Sequence, residues 1–272
     1  MKIGPIAQVT MLSSDIAKSV QLYSQAFGWD KTNYLEVTSA QAQSWGADLH
    51  AGADLAIVGG VSGSVRFIEC NSYPEQVALK TFGWTALEVC VDDVYGYTDR
   101  AIAAGFKMLN EPVKLAGSAN PLPLIAAQLA GPNGECIYIT QILGDVPNFE
   151  LPDVSTHSGS IFICVLGASD LAASREVLES KFQLRRASDR EVAIKVLNKV
   201  YDMPLTDLHH ISSLQLNGRN AIEIDQLPTA ASARAKLPGY LPPGISIVSV
   251  KAEVTSPTII SLPDNALLEL IA

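Results

Sequence analysis

Ser14-Asp15-Ile16-Ala17-Lys18-Ser19 and Ser169-Asp170-Leu171-Ala172-Ala173-Ser174 are two copies of one signal. The second lies 155 residues after the first (169 − 14), and the same offset carries Phe27 onto Phe182 without a gap. An apolar run precedes each copy, Ile6 to Leu12 in one and Ser160 to Leu166 in the other. A helical pattern follows each. Ile16, Val20, Tyr23 and Phe27 recur at four, three and four residues, which is one face of a helix, and Leu171, Leu178 and Phe182 repeat most of it. The Ser-Asp pairs are natural N-caps, because their side-chain oxygens accept the first free backbone N–H groups. Each copy therefore predicts strand, cap and helix, and self-similarity at a fixed offset is evidence for a whole architecture rather than for one motif.

Working outward, a weaker third copy starts at Trp84. Thr85 to Val91 reads as a strand, Asp92-Asp93 caps a helix running through Ala104, and Gly105 stops it. Shorter strands separated by turns follow each helix. Asp54 to Val58 and Val65 to Cys70 flank Gly59-Gly60-Val61-Ser62-Gly63, and His209 to Leu216 and Ala221 to Gln226 flank Asn217-Gly218, a hairpin signal. A turn and strand at Pro132 to Ile139 matches another at Pro263 to Leu270. The chain thus reads as four strand–helix–strand–strand–strand units, roughly 1–80, 81–146, 155–228 and 240–272. The fourth is short and is expected to lack its helix. The predicted organisation is a first pair of units at 1–146 carrying a ligand cup, a linker at 147–157 containing Pro147 and Pro152, and a second, degenerate pair at 158–272.

Composition narrows the function. An apolar fraction of 48% with only 17% charged residues excludes disorder. A net charge of −9, with no Lys/Arg cluster, opposes nucleic-acid binding. No apolar stretch approaches the roughly 20 residues of a bilayer span. The start, Met1-Lys2-Ile3-Gly4-Pro5, lacks the apolar core of a signal peptide, so a cytoplasmic location is expected. Cys70, Cys90, Cys136 and Cys164 are widely spaced in apolar runs and read as buried reduced thiols. Phosphate-loop, dinucleotide-loop, nucleophile-elbow and H-E-x-x-H patterns are all missing, which disfavours nucleotide-dependent enzymes and serine hydrolases.

The order of an apolar strand, Ser-Asp, a helix ending in Phe27-Gly28-Trp29, then Val91-Asp92-Asp93-Val94 and Gly131-Pro132-Asn133-Gly134, resembles the vicinal oxygen chelate superfamily: glyoxalase I, bleomycin-resistance proteins, methylmalonyl-CoA epimerase and extradiol dioxygenases. The resemblance covers nearly the whole chain, residues 6–142 most clearly. It implies an α+β fold in which tandem βαβββ modules form curved mixed sheets, with a ligand cup on the concave face and the fourth module truncated. Half-size members pair as dimers; a four-module chain can pair internally, so a monomer and a homodimer are both open.

The superfamily takes its metal ligands from first strands, usually His, and last strands, usually Glu. Carried over, the first-strand positions fall on Gln8, Ala86 (with Glu88 two residues on) and Ile163. The last-strand positions fall near Glu69 and on Tyr138 and Glu269, with Asp225 the nearest counterpart of Glu69 in the third module. The histidines are therefore absent. Gln8, Glu69 and Glu88 would be the oxygen-rich set for any divalent metal, while the favoured expectation is a cup without metal or other cofactor. In that cup Glu69 is the expected base, sharing a strand face with Val65 and Phe67. Tyr138 and Gln8 would hold substrate oxygens. Trp45, Phe67, Glu88 and His50 complete the expected pocket. His209 and His210 point to opposite faces of a strand and cannot share a metal. His157 lies in the linker, and the loop from Lys114 to Pro123 is placed as a possible cover.

The expected function is proton abstraction next to a carbonyl in a small, largely apolar oxygenated compound, as a lyase or isomerase. Two alternatives stand beside it: a non-catalytic small-molecule binding and resistance protein, and a metal-dependent glyoxalase- or dioxygenase-like enzyme. The expected partner is a small molecule, with no nucleic acid and no membrane.

Overall fold

The computed structural model describes residues 1–115 and 121–272; Gly117 and Ser118 of the expected covering loop lie outside the described residues. The first module is β1 (Ile3–Ser13), α1 (Ile16–Phe27), β2 (Lys31–Glu36), a short α2 (Ser39–Ser44), β3 (Asp54–Gly59) and β4 (Ser64–Glu69). The second is β5 (Gly83–Val91), α3 (Val94–Ala104), β6 (Lys107–Lys114), β7 (Leu124–Ala130) and β8 (Cys136–Ile142). After α4 (Val154–His157) comes the third: β9 (Ser160–Ala168), α5 (Leu171–Phe182), β10 (Arg185–Val192), a short α6 (Lys195–Val200), β11 (His209–Leu216) and β12 (Asn220–Gln226). The fourth is only β13 (Ile245–Ala252), β14 (Thr258–Ser261) and β15 (Leu267–Ile271).

The caps are those the sequence marks. Asp15, Asp93 and Asp170 each accept a backbone N–H in the first turn of α1, α3 and α5. Gly28 ends α1 with φ +68°, a conformation that costs glycine little. Gly218, at φ +71°, closes the β11–β12 hairpin.

The pairing of the modules departs from the linear order expected. One sheet runs β14-β15-β13-β1-β4-β3-β2 and the other β10-β11-β12-β9-β5-β8-β7-β6. The first module thus completes its sheet with the fourth, and the second with the third. Residues 1–146 do not close a cup by themselves, and 158–272 is not a separate pair. The reason is edge satisfaction: β1 and β5 each leave one ladder free, which β13 and β9 fill antiparallel.

One face of each sheet enters a shared core. Val9, Met11, Val65 and Phe67 of the first sheet join Leu87, Val89, Ile137 and Ile139 of the second, with Tyr23, Phe27, Leu171 and Leu178 from the helices. The opposite faces form two separate apolar clusters. The two cups therefore lie on opposite sides of a common core. No helix among the described residues is long and apolar enough to cross a membrane.

Candidate functional site

Strand pairing gives an internal register that needs no outside reference. Gln8 faces Ser64, Ala86 faces Cys136 and Ile163 faces Ala221 in the three parallel first-strand/last-strand pairs. Two residues further on the last strand, on the same face, stand Arg66, Tyr138 and Glu223. The antiparallel pairs Glu88–Ile163 and Thr10–Ile247 are equivalent, so Ile247 is the fourth first-strand position, and Glu269 lies two residues beyond its partner Leu267. The matched positions are therefore Gln8, Arg66, Ile247 and Glu269 in one cup, and Ala86, Tyr138, Ile163 and Glu223 in the other. Glu69 and Asp225 are not the last-strand positions.

In the first cup these positions are consumed by packing. Arg66 pairs with Glu269 at 3.4 Å, donates from Nε to Thr10 at 2.9 Å, and lies 4.6 Å over the Trp45 ring. Glu269 also accepts from Trp45 Nε1 (2.9 Å) and Ser249 Oγ (2.6 Å). Trp45 follows directly on α2, and with Ala42, Leu12, Ile68 and Leu241 it fills the hollow. His50 is buried, accepts the Leu241 N–H at Nε2 (3.1 Å) and packs edge-on against Tyr240; burial lowers its pKa. Trp45 and His50 are thus parts of a plug rather than pocket walls.

The expected site residues separate accordingly. Gln8 is on this filled cup's face, with Nε2 donating to Ser64 Oγ at 3.1 Å. Glu69 is at the far end of β4 on the face of Val65 and Phe67, which are sunk in the shared core, so it points out of the cup. Phe67 packs against Tyr23, ring centroids 5.2 Å apart. The alternation along β4 was sound; the side assigned to it was not. The face carrying Val65, Phe67 and Glu69 is the one that packs on helices. Gln8, Glu69 and Glu88 cannot form one ligand set, because Glu88 belongs to the other sheet.

The second cup is open. It holds a cavity of about 210 Å³. Its walls are largely apolar, with Leu124, Phe162, Ile163 and Ile211 from the sheet, Ile194 and Val196 at α6, and Phe149 and Leu151 from the segment before α4. The segment expected to be a linker therefore contributes to the wall of the pocket. Its floor carries Glu88, Tyr138, Thr140, Gln128 and Glu223. Glu88 accepts from Thr140 Oγ1 at 3.0 Å, and Glu223 accepts from Ser213 Oγ at 3.2 Å.

Burial and the nearby Glu223 push the Glu88 carboxyl up to about 8, against the lowering effect of the Thr140 hydrogen bond. Burial also raises Glu223, whereas Arg190 pulls it back down. Asp225, two residues beyond Glu223 on the same face of β12, is pushed well above the usual carboxylate range by burial and by Glu223 and Glu88. Burial, then neighbouring ionisable groups, hold the Tyr138 phenol well above its ordinary value, so it stays a hydroxyl donor. Two polar atoms here, Asp225 Oδ1 and Arg190 Nε, are buried without a hydrogen-bond partner.

Glu88 and Tyr138 thus stand side by side on one cavity. Glu223 and Arg190 were not singled out from sequence. The signal for Glu223 was present: Ala221, Glu223 and Asp225 alternate along a strand directly after the Asn217-Gly218 turn, placing two carboxylates on one face. Of the histidines, His209 is buried and bonded to Asn198 at 2.6 Å, His210 pairs with Asp189, and His157 is in α4. Cys90, Cys136 and Cys164 are buried; Cys70 is half-buried.

Curved mixed sheets, tandem βαβββ modules and a cup on the concave face define a class of fold. The solved structures that share it include glyoxalase I from Zea mays (TM-score 0.63, 13% identity, covering 97% of this chain and 91% of that one) and a candidate dioxygenase from Bacillus subtilis (TM-score 0.64, 10% identity, covering 99% and 85%). The chain has the vicinal oxygen chelate fold. No protein-family profile and no curated protein sequence matches it.

The divalent metal associated with that fold does not fit the residues of either cup. In the open cup the four register positions supply a methyl, a phenol, a sec-butyl group and one carboxylate, so two of the four have no donor. In the filled cup the Arg66 guanidinium already pairs with Glu269. No group of three or more His, Cys, Asp or Glu among the described residues converges on a metal position.

Proposed function

We propose that the open cup binds a small, largely apolar compound carrying carbonyl or hydroxyl oxygens and moves one of its protons. The observation that supports this most directly is a buried carboxyl, Glu88, beside a half-buried one, Glu223, on the floor of an apolar cavity. Two like groups whose surroundings drive their protonation apart are a recurring source of matched acid and base. Glu223 lies under the field of Arg190, which favours its ionised form against the burial that raises it, and serves as the base. Glu88, raised by burial and by the neighbouring Glu223, keeps its proton near neutrality and serves as the acid. The Tyr138 hydroxyl donates to the substrate oxygen on which charge develops.

The arrangement suits those lyase and isomerase reactions that begin by taking a proton from carbon next to a carbonyl. Non-catalytic binding is the second reading, favoured by the apolar walls, which suffice to hold a ligand. One experiment separates the two. Small apolar ketones, hydroxyketones and keto acids are incubated with the protein in D₂O, and deuterium entry at carbon is read by NMR. The proposal expects exchange into at least one compound and its loss in Glu223→Gln with the fold intact. Exchange at the full rate in that variant overturns the assignment of the base. Compounds that bind and never exchange return the protein to the binding reading.

A further inference from the structure

Arg190 stands apart from the paired arginines of the described residues. Arg175 and Arg186 share Asp189, Arg185 pairs with Glu150, and Arg66 pairs with Glu269. Arg234 is buried but donates to the carbonyls of Ile245 and Trp84 at 2.7 Å each. Arg190 lines the cavity, yet among the described residues no carboxylate lies within ion-pair distance of it. Its Nη1 donates to Ser188 Oγ at 2.6 Å, and its Nε is buried without a partner. A buried donor left unpaired is costly, so its persistence in a cavity wall marks a place where a ligand atom completes the bonding.

The surroundings point to the sign of that ligand. Lys114 and Lys195 stand exposed at the rim of the same cavity. The chain as a whole carries −9, so three cations around one opening run against the background and focus a positive field there. Burial favours the neutral forms of Glu88 and Asp225, which leaves Glu223 as the single negative group of the three set against three cations. A guanidinium with free N–H groups matches a carboxylate in shape and charge, and the rest of the wall is hydrocarbon.

We infer that the compound taken up by the open cup is a small apolar monocarboxylate, its carboxylate held by Arg190 and drawn in past Lys114 and Lys195. This rests on the reading of the cup as a ligand site and adds the class of ligand.

The test uses the full chain and a matched pair of probes, 3-phenylpropanoate and 3-phenylpropanamide, titrated calorimetrically at pH 7. The acid is expected to bind at least about tenfold more tightly than the amide, the scale of a charge-assisted hydrogen-bonded pair. In Arg190→Gln the preference should fall to within about twofold through loss of acid affinity, with amide affinity unchanged. Ala193→Trp, which fills the half-exposed rim of the cavity, should abolish binding of both. An amide that binds as well as the acid, or a preference that survives Arg190→Gln, overturns the monocarboxylate inference while leaving the cup intact. Binding of either probe that ignores Ala193→Trp places it elsewhere, and binding of neither removes the support; each of these outcomes overturns the cup reading as well.

Discussion

Trp45 donates its indole N–H to Glu269 at 2.9 Å, across 224 positions of chain, and the contact joins the first module to the fourth. The same carboxylate takes Arg66, and the guanidinium covers the Trp45 ring. A tryptophan, an arginine and a glutamate thus occupy the hollow of one cup, where the matching hollow of the other stays open. The difference traces to the two short inserted helices. The turn after α2 delivers a large indole to the floor, whereas α6 presents Ile194, Lys195 and Val196 to the walls and leaves space between them.

Removing Glu269 should therefore destabilise far more than removing a surface charge. Glu269→Ala leaves the Arg66 guanidinium buried and unpaired, which typically costs about 3–5 kcal/mol. Urea unfolding of the variant should show a midpoint lowered to match, and the double substitution Arg66→Met with Glu269→Leu should recover much of the loss, since an apolar pair needs no counter-charge. A single variant as stable as the parent chain would show the pair to be idle.

Stability should fall as pH rises from about 4.5 towards 8. The Glu88 carboxyl titrates near its ordinary value of 4.5 when unfolded and at about 8 when folded, so between those pH values the native state binds more protons than the unfolded state. Stability then declines with rising pH. Glu223 and Asp225 add to the slope in the same direction. Glu88→Gln keeps the shape and removes the ionisation, so it should flatten the decline and raise stability by a few kcal/mol at pH 8 while changing little at pH 4.5. Thermal unfolding across this range checks it; a slope unaltered by the substitution would mean that Glu88 titrates normally.

The modules, their caps and the missing fourth helix were legible because each leaves a local pattern: Ser-Asp before a 3.6-residue period, Asn217-Gly218 between alternating strands. What could not be read was which module borders which. The choice between β1 with β13 and β1 with β5 depends on edges brought together only in the folded chain, and it decided whether Gln8 and Glu88 share a hollow. The face of a strand was the second blind spot. Glu69 and Glu223 both alternate with apolar neighbours, and only the packing of Phe67 against Tyr23 tells that one is turned to the helices. Glu88 and Tyr138 were recoverable because they are neighbours on paired strands within a single module.

Tyr138→Phe should separate binding from chemistry in any compound that exchanges its proton in the open cup. The substitution removes a hydroxyl from the floor and leaves the ring's packing against the cavity in place. If that hydroxyl meets the developing oxyanion, the exchange rate at saturation should drop about 100-fold with little change in affinity. A loss of affinity with an unchanged rate would make Tyr138 an ordinary binding contact.

The internal register makes a prediction of its own. If Ala86 is equivalent to Ile163, and Tyr138 to Glu223, through the duplicated modules, then placing imidazoles on the two first strands and a carboxylate on the last strand of the second module should create a four-donor cluster from a cup that now lacks one. The variant carrying Ala86→His, Tyr138→Glu and Ile163→His, with native Glu223, should bind one Co²⁺ or Ni²⁺ per chain, and the metal should raise its thermal midpoint because binding to the folded state alone stabilises it. A control with Glu88→His in place of Ala86→His places the imidazole two residues along the same face and should bind far more weakly. Visible absorption of the Co²⁺ form reports the coordination number directly. A folded triple variant that takes up no metal, or a control that binds equally well, would show that the register was assigned to the wrong residues.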